Sequence, residues 1–144
     1  MNNTQTNIIH WSFWLVAAFG LLWNLGGSAN FFMQMDAGIV ASFPESDRAI
    51  IEGRPLWATA GFGLSVFAGA LGALLLFLKK ALAIRVFAVS LFGTAVTMVH
   101  TVMVASGTAS FSVGEIFAMI LLPLAVAGVL MEYSRRVSQK GWIQ

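Results

Sequence analysis

The sequence predicts an all-α, polytopic membrane protein: a bundle of four transmembrane helices with a short interfacial helix in the first outer loop. Two observations carry this expectation. Hydrophobic residues make up 58% of the chain and charged residues only 10%, where soluble domains carry about 25% charge. The charge is also unevenly spread, being absent from residues 11–35, 56–78, 86–114 and 116–131. A helix rises about 1.5 Å per residue, so about 20 residues cross a hydrocarbon core of about 30 Å. The expected spans are therefore about 11–35, 56–78, 86–106 and 112–131, within one integral membrane domain, 1–144. The fourth is long enough only if residues 112–115 lie in the interface. Runs that are apolar on every face argue against a soluble bundle.

The first run has no Lys or Arg in residues 2–7 before it, and it contains Trp11, Trp14, Trp23 and Asn24. A cleaved signal peptide needs a basic start and a plain apolar core, so this run reads as a retained span. Residues 25–30, Leu-Gly-Gly-Ser-Ala-Asn, are where that helix is expected to become irregular, because paired glycines weaken it. The loop that follows is the long one. Pro44 suits a helix start, Glu45 and Asp47 suit its positive end, Gly53 suits the position past its end, and Pro55 blocks continuation. With Ile39, Val40, Phe43, Ile50 and Ile51 this predicts a short helix on the membrane surface. Trp57 opens the second span at interface depth.

The second span carries Gly61, Ser65, Gly69 and Gly72 at helical spacing. Small residues let helix backbones approach closely in lipid, and Gly20, Gly26 and Gly27 on the first span suggest that these two spans form the tight pair. The third span has Ser90, Thr94, Thr97 and Thr101 on one face, with His100 beside them. The fourth contains Pro123, which frees the carbonyl of Met119 and predicts a kink.

Lys79, Lys80 and Arg85 follow the second span, and Arg135, Arg136 and Lys140 follow the fourth. Lys and Arg concentrate on the cytoplasmic side. With four spans all six fall on one face, so both termini are expected in the cytoplasm. The acidic first loop and the basic-free third loop, around residues 106–115, are then outside. The net charge of +2 does not suggest nucleic acid.

Polar groups at membrane depth are costly and need partners. Threading places Asn24 near the depth of His100, with Asn30 and Gln34 further out and Glu115 entering from the outer end of the fourth span. The inner halves of the second and fourth spans are almost purely aliphatic. A polar pocket open to the outside is therefore expected, and the candidate ligand-binding residues are Asn24, Asn30, Gln34, Thr97, His100, Thr101 and Glu115. The alternative is structural, since Ser and Thr in membrane helices bond their own backbone and a lone histidine can simply link helices.

No reaction is signalled, and no catalytic residue, metal ligand set or cofactor is expected. The chain has no cysteine, which removes thiol and iron–sulfur chemistry through its own ligands. His10 and His100 fall at opposite ends of the bundle, which does not suit haem held between helices. No cluster has zinc-type spacing, and no phosphate loop or nucleophile elbow is present.

The stretches 23–31, Trp-Asn-Leu-Gly-Gly-Ser-Ala-Asn-Phe, and 52–62, Glu-Gly-Arg-Pro-Leu-Trp-Ala-Thr-Ala-Gly-Phe, resemble an uncharacterised group of small bacterial four-helix inner-membrane proteins. Some of its members carry a loose sugar-transporter label. The resemblance implies a bacterial inner membrane and four spans, and it transfers no site residue. Small multidrug transporters, by contrast, use a carboxylate deep in the first helix. Here the first acid is Asp36, so drug–proton exchange is not expected. The leading expectation is transport or binding of a small polar solute, with a homodimer supplying enough helices. The other is a non-catalytic accessory subunit or assembly factor with a heteromeric membrane partner.

Overall fold

The computed structural model describes residues 8–107 and 111–144. Residues 2–7, which bear on the signal-peptide argument, and 108–110, part of the third loop, lie outside the described residues. Helices are α1 (Trp11–Met33), α2 (Ala37–Val40), α3 (Glu45–Ile51), α4 (Leu56–Phe77), α5 (Ala83–Gly107), α6 (Val113–Ile116) and α7 (Leu122–Gln139). A π-helical turn, Phe117–Leu121, joins α6 to α7 into one rod. Among the described residues there is no strand. Four helices, Trp11–Met33, Leu56–Phe77, Ala83–Gly107 and Val113–Gln139, are long and apolar enough to cross a membrane. The chain is thus an all-α polytopic membrane protein. α2 and α3 mark one end of the bundle, the loop end; the Lys79–Lys80 turn and the end of α7 mark the other, the terminal end.

The tightest seam joins α4 to α5, not α1 to α4. A side chain at Gly93 would come within 2.7 Å of both the Gly61 carbonyl oxygen and the Ser65 amide nitrogen. At Gly61 it would come within 2.8 Å of Val96, and at Gly72 within 2.9 Å of the Phe87 ring. Most of the small-residue face of α4 is therefore turned to α5, which supplies the matching Gly93. Burying apolar surface gains little in lipid, so backbone proximity and hydrogen bonds hold this pair. Ser65 and Thr94 share a hydroxyl contact of 2.6 Å, and Ser90 donates to the Ser65 carbonyl at 2.6 Å.

α1 packs on the other flank of α4. Phe31 lies over Gly63, Gly27 abuts Val66, and the Asn24 carboxamide fills the space a side chain at Gly69 would need. α1 runs unbroken through Gly26 and Gly27, contrary to the expected irregularity. Ser28 bonds the Asn24 carbonyl at 2.8 Å, and Val66 supports Gly27, so the helix is held through its weak point. Trp11, Leu15, Phe19 and Leu22 are exposed at helical spacing, the face turned to lipid.

The fourth rod packs mainly on α5 and meets α1 chiefly where Leu130 enters the notch at Gly20. Pro123 produces a change of ladder: Leu122 N–H bonds the Phe117 carbonyl, five residues back. A π turn of this kind absorbs the missing proline donor. At the terminal end Phe13, Ala17, Leu76, Phe87, Leu130 and Val137 form a packed core. Trp142 and Ile143 turn back into it after Gly141, whose positive φ of 72° permits the reversal. Gln144 then pairs with the Lys79–Ala81 turn through backbone bonds of 2.8 and 2.9 Å.

Gly93→Ala is expected to separate α4 from α5 and to lower the melting temperature in detergent, at a cost of about 1–3 kcal/mol. Gly26→Ala, with nothing within 4 Å of its side-chain position, leaves it unchanged or slightly higher. Equal melting temperatures for Gly93→Ala and wild type would contradict the seam.

Candidate functional site

Because α1 and the fourth rod flank the α4–α5 pair and meet chiefly near Gly20, the loop-end half of the bundle is left hollow. The cavity has a volume of about 590 Å³, within the range of small-molecule sites. Leu22, Trp23, Gly26 and Asn30 form one wall, and Ala118, Met119, Pro123 and Ala127 form the opposite one. Ser65, Ser90, Thr94, Thr97 and Thr101 line the back along the α4–α5 seam, with Phe87 and Leu130 at the floor. Asp47, Ile50, Ile51 and Arg54 make the roof. Leu22, Trp23 and Asn30 are exposed, so the gap between α1 and the fourth rod is a side opening.

Asn24, Asn30, Gln34, Thr97 and Thr101 all line this cavity. Asn24 is deeper than expected. It shares the Gly69 notch with Ser90, ten positions before His100 on α5, or about 15 Å further along the helix. Equal depth assumed that α1 and α5 end level, and they do not. Asn24 donates from Nδ2 to the Gly20 carbonyl at 2.7 Å, which aims its Oδ1 across the bundle toward Gly69.

The hydroxyl stripe is largely committed. Thr94, Thr97 and Thr101 donate to carbonyls one turn back at 2.9, 3.0 and 3.2 Å. They keep acceptor lone pairs, but their donors serve the helix pair.

His100 and Glu115 are not in the lining, and both hold the roof instead. The His100 Nε2–H donates to the Ile50 carbonyl at 3.0 Å, and the ring meets Trp57 edge-on at 6.0 Å. Glu115 closes a capping box with Ser112 at the start of α6 and accepts from Ser46 Oγ at 2.6 Å. Two single hydrogen bonds thus pin α3, one to α5 and one to α6. A third tie runs to α1: Arg54 Nη1 donates to Gln34 Oε1 at 2.7 Å. Arg54 Nε also reaches Thr59 at 3.2 Å, and its guanidinium lies 5.4 Å above the Phe62 ring.

Asp47 and Arg54 are the site residues that sequence reasoning passed over. Asp47 reads in the sequence as an acid suited to the start of the loop helix, and Arg54 as one of the charges of the first loop. The available signal was local: Arg54 immediately precedes Pro55 and the start of α4, so its side chain cannot move far from the cavity mouth. Burial pushes the Arg54 guanidinium below its ordinary pKa. Burial, and then the nearby Glu115 carboxylate, raise the Asp47 carboxyl. Neither residue makes an ion pair among the described residues. No group of three or more His, Cys, Asp or Glu side chains is placed to hold a metal among them either. No protein-family model, curated protein or solved structure matched the chain.

Two outcomes follow for the roof. Removing the histidine tie with His100→Phe should speed amide exchange across α3 roughly fivefold, the worth of about one net hydrogen bond; unchanged exchange would show that the tie carries nothing. For Asp47, a carboxyl raised in the folded state stabilises the fold below its unfolded pKa, and that contribution is lost as pH rises through the folded value. Asp47→Asn should therefore raise the melting temperature at neutral pH, with the gain fading toward pH 4. A gain independent of pH would contradict this.

Proposed function

We propose that the protein binds a small, net-neutral polar solute in the loop-end cavity and serves its passage into or across the membrane. The observation that carries this reading is the cavity: about 590 Å³ at the depth of one half of the bundle, polar at the back and roof, and closed below by the apolar core. Apolar walls with a few placed polar groups are the usual make-up of a solute site. The Asn30 side chain and the Gln34 amide nitrogen have no hydrogen-bond partner among the described residues, and both residues line the cavity.

In this reading the loop end is the outer face of a bacterial inner membrane, and both termini are cytoplasmic. The basic residues at the terminal end support that orientation. The resemblance of the 23–31 and 52–62 stretches supports the bacterial inner membrane. The roof helix α3, tied by single hydrogen bonds, is the element that opens. Four helices are few for alternating access, so transport would require a homodimer.

The test is mild extraction of the tagged full chain, followed by native mass spectrometry and analysis of small molecules released on denaturation. Wild type should release a bound polar molecule. Asn24→Leu and Asn30→Leu should lose it roughly tenfold or more, since each leaves buried polar groups of the solute unpaired, while the melting temperature of Asn30→Leu stays at the wild-type value. Wild type retaining no small molecule, and instead carrying a different membrane protein in fixed ratio, would favour an accessory subunit and sink the solute reading.

A further inference from the structure

The cavity opens sideways between α1 and the fourth rod, and among the described residues its roof carries two charges of opposite sign that make no ion pair. These features together specify its occupant more narrowly. Arg54 is drawn toward α1 and α4 by Gln34 and Thr59. Asp47 sits on α3 next to Ser46, which is bonded to Glu115 of α6. The basic side of the roof therefore faces α1 and α4, and the acidic side faces the fourth rod. Neither charge is neutralised within the protein among the described residues, so a ligand that spans the roof meets a cation on one side and a carboxylate on the other.

Depth supplies the second constraint. Arg54 lies just ahead of Leu56, where α4 begins, so the roof stands at the boundary between hydrocarbon and water. Asn24 lies nine positions before Met33 at the end of α1 and against Gly69, thirteen positions into α4, so about 14–20 Å deeper and around the middle of a hydrocarbon core of about 30 Å. The cavity thus runs through about one leaflet. Its side walls are Leu22 and Trp23 on one side and Met119, Pro123 and Ala127 on the other, surfaces suited to hydrocarbon chains. A lipid of that leaflet could slide in through the gap without leaving the membrane.

We propose that the ligand is a zwitterionic phospholipid, held with its phosphate on Arg54 and its ammonium on Asp47. The apolar walls take the upper part of its chains. This inference rests on the solute reading above and narrows it. Zwitterionic chemistry satisfies both roof charges at once and is net neutral. An anionic lipid could also set its phosphate on Arg54 but would bring no cation to Asp47. The ammonium would also relieve the crowding of those two carboxylates. The chemistry could equally come from a free aminoalkyl phosphate, but the lateral mouth and the apolar walls favour the lipid.

The test uses the full chain in mild detergent, with phosphatidylethanolamine and phosphatidylglycerol of identical chains added in turn and retention read by native mass spectrometry. Wild type should keep one phosphatidylethanolamine, roughly tenfold more strongly than phosphatidylglycerol, as expected for one partly buried charge-assisted contact. Asp47→Asn should abolish the preference by weakening phosphatidylethanolamine alone, and Arg54→Gln should weaken both lipids. Equal retention of the two lipids by wild type, or a preference that survives Asp47→Asn, would overturn the assignment. Binding of free phosphoethanolamine without binding of the lipid would also overturn it and would make the ligand a soluble zwitterion. If neither lipid binds while another polar molecule still co-purifies in an Asn30-dependent way, the lipid assignment falls and the solute reading stands. If nothing binds, both fall.

Discussion

The close approach of α4 and α5 at Gly61 and Gly93 sets the rest of the structure. A side chain at Gly93 would sit 2.7 Å from backbone atoms of α4, so the two helices touch main chain to main chain. Hydrocarbon gives little incentive for apolar side chains to leave lipid, and contact of this kind, with the hydroxyl links of Ser65, Ser90 and Thr94, is what such helices have available. Once α4 and α5 are that close, α1 and the fourth rod must pack on the outside of the pair. They then converge only where Gly20 makes room for Leu130. The hollow at the loop end follows from this geometry and does not need to be built separately.

The same seam explains which polar residues are free. The Ser and Thr donors of α5 are spent on carbonyls of their own helix or of α4, so their first role is to fasten the pair. Residues further from the seam have fewer obligations. Among the described residues the Asn30 side chain lines the mouth with no partner, the Gln34 side-chain oxygen accepts only from Arg54, and the Asp47 carboxylate accepts no hydrogen bond. The part of the site able to recognise a ligand is accordingly the roof and mouth, and the hydroxyl-lined back contributes mainly shape and acceptors.

The four spans and the α3 helix were legible because they follow from length, charge exclusion and the Pro44, Gly53 and Pro55 punctuation, all local properties. Gly53 does take a positive φ, 74°, as the end of α3 requires. Helix pairing was less legible. The glycines of α4 announce a close contact but not its partner, and Gly93 on α5, whose other glycine is the terminal Gly107, gave little reason to choose it over the three on α1. The hollow was foreseen from polar residues gathering at one end. The roles of His100 and Glu115 were not, because sequence distance cannot show that Ile50 and Ser46, in a loop more than forty residues earlier, come down onto them. Asp47 and Arg54 were missed for a related reason: a charge in a loop between spans looks solvated until the loop is seen to fold over the bundle.

The central claim, that α1 and the fourth rod leave a reachable cavity at the loop end, is tested most directly by single-cysteine labelling. The chain has no cysteine of its own, so each introduced thiol reports one position. With any bound lipid first stripped by detergent exchange, and with a charged, membrane-impermeant thiol reagent, Asn30→Cys and Met119→Cys should label readily. Ala17→Cys, fully buried in the terminal-end core, and Leu15→Cys, on the lipid face, should not. Protection at Asn30 and Met119 equal to that at Ala17 would mean that the two walls close on each other, and the account built on the cavity would be wrong.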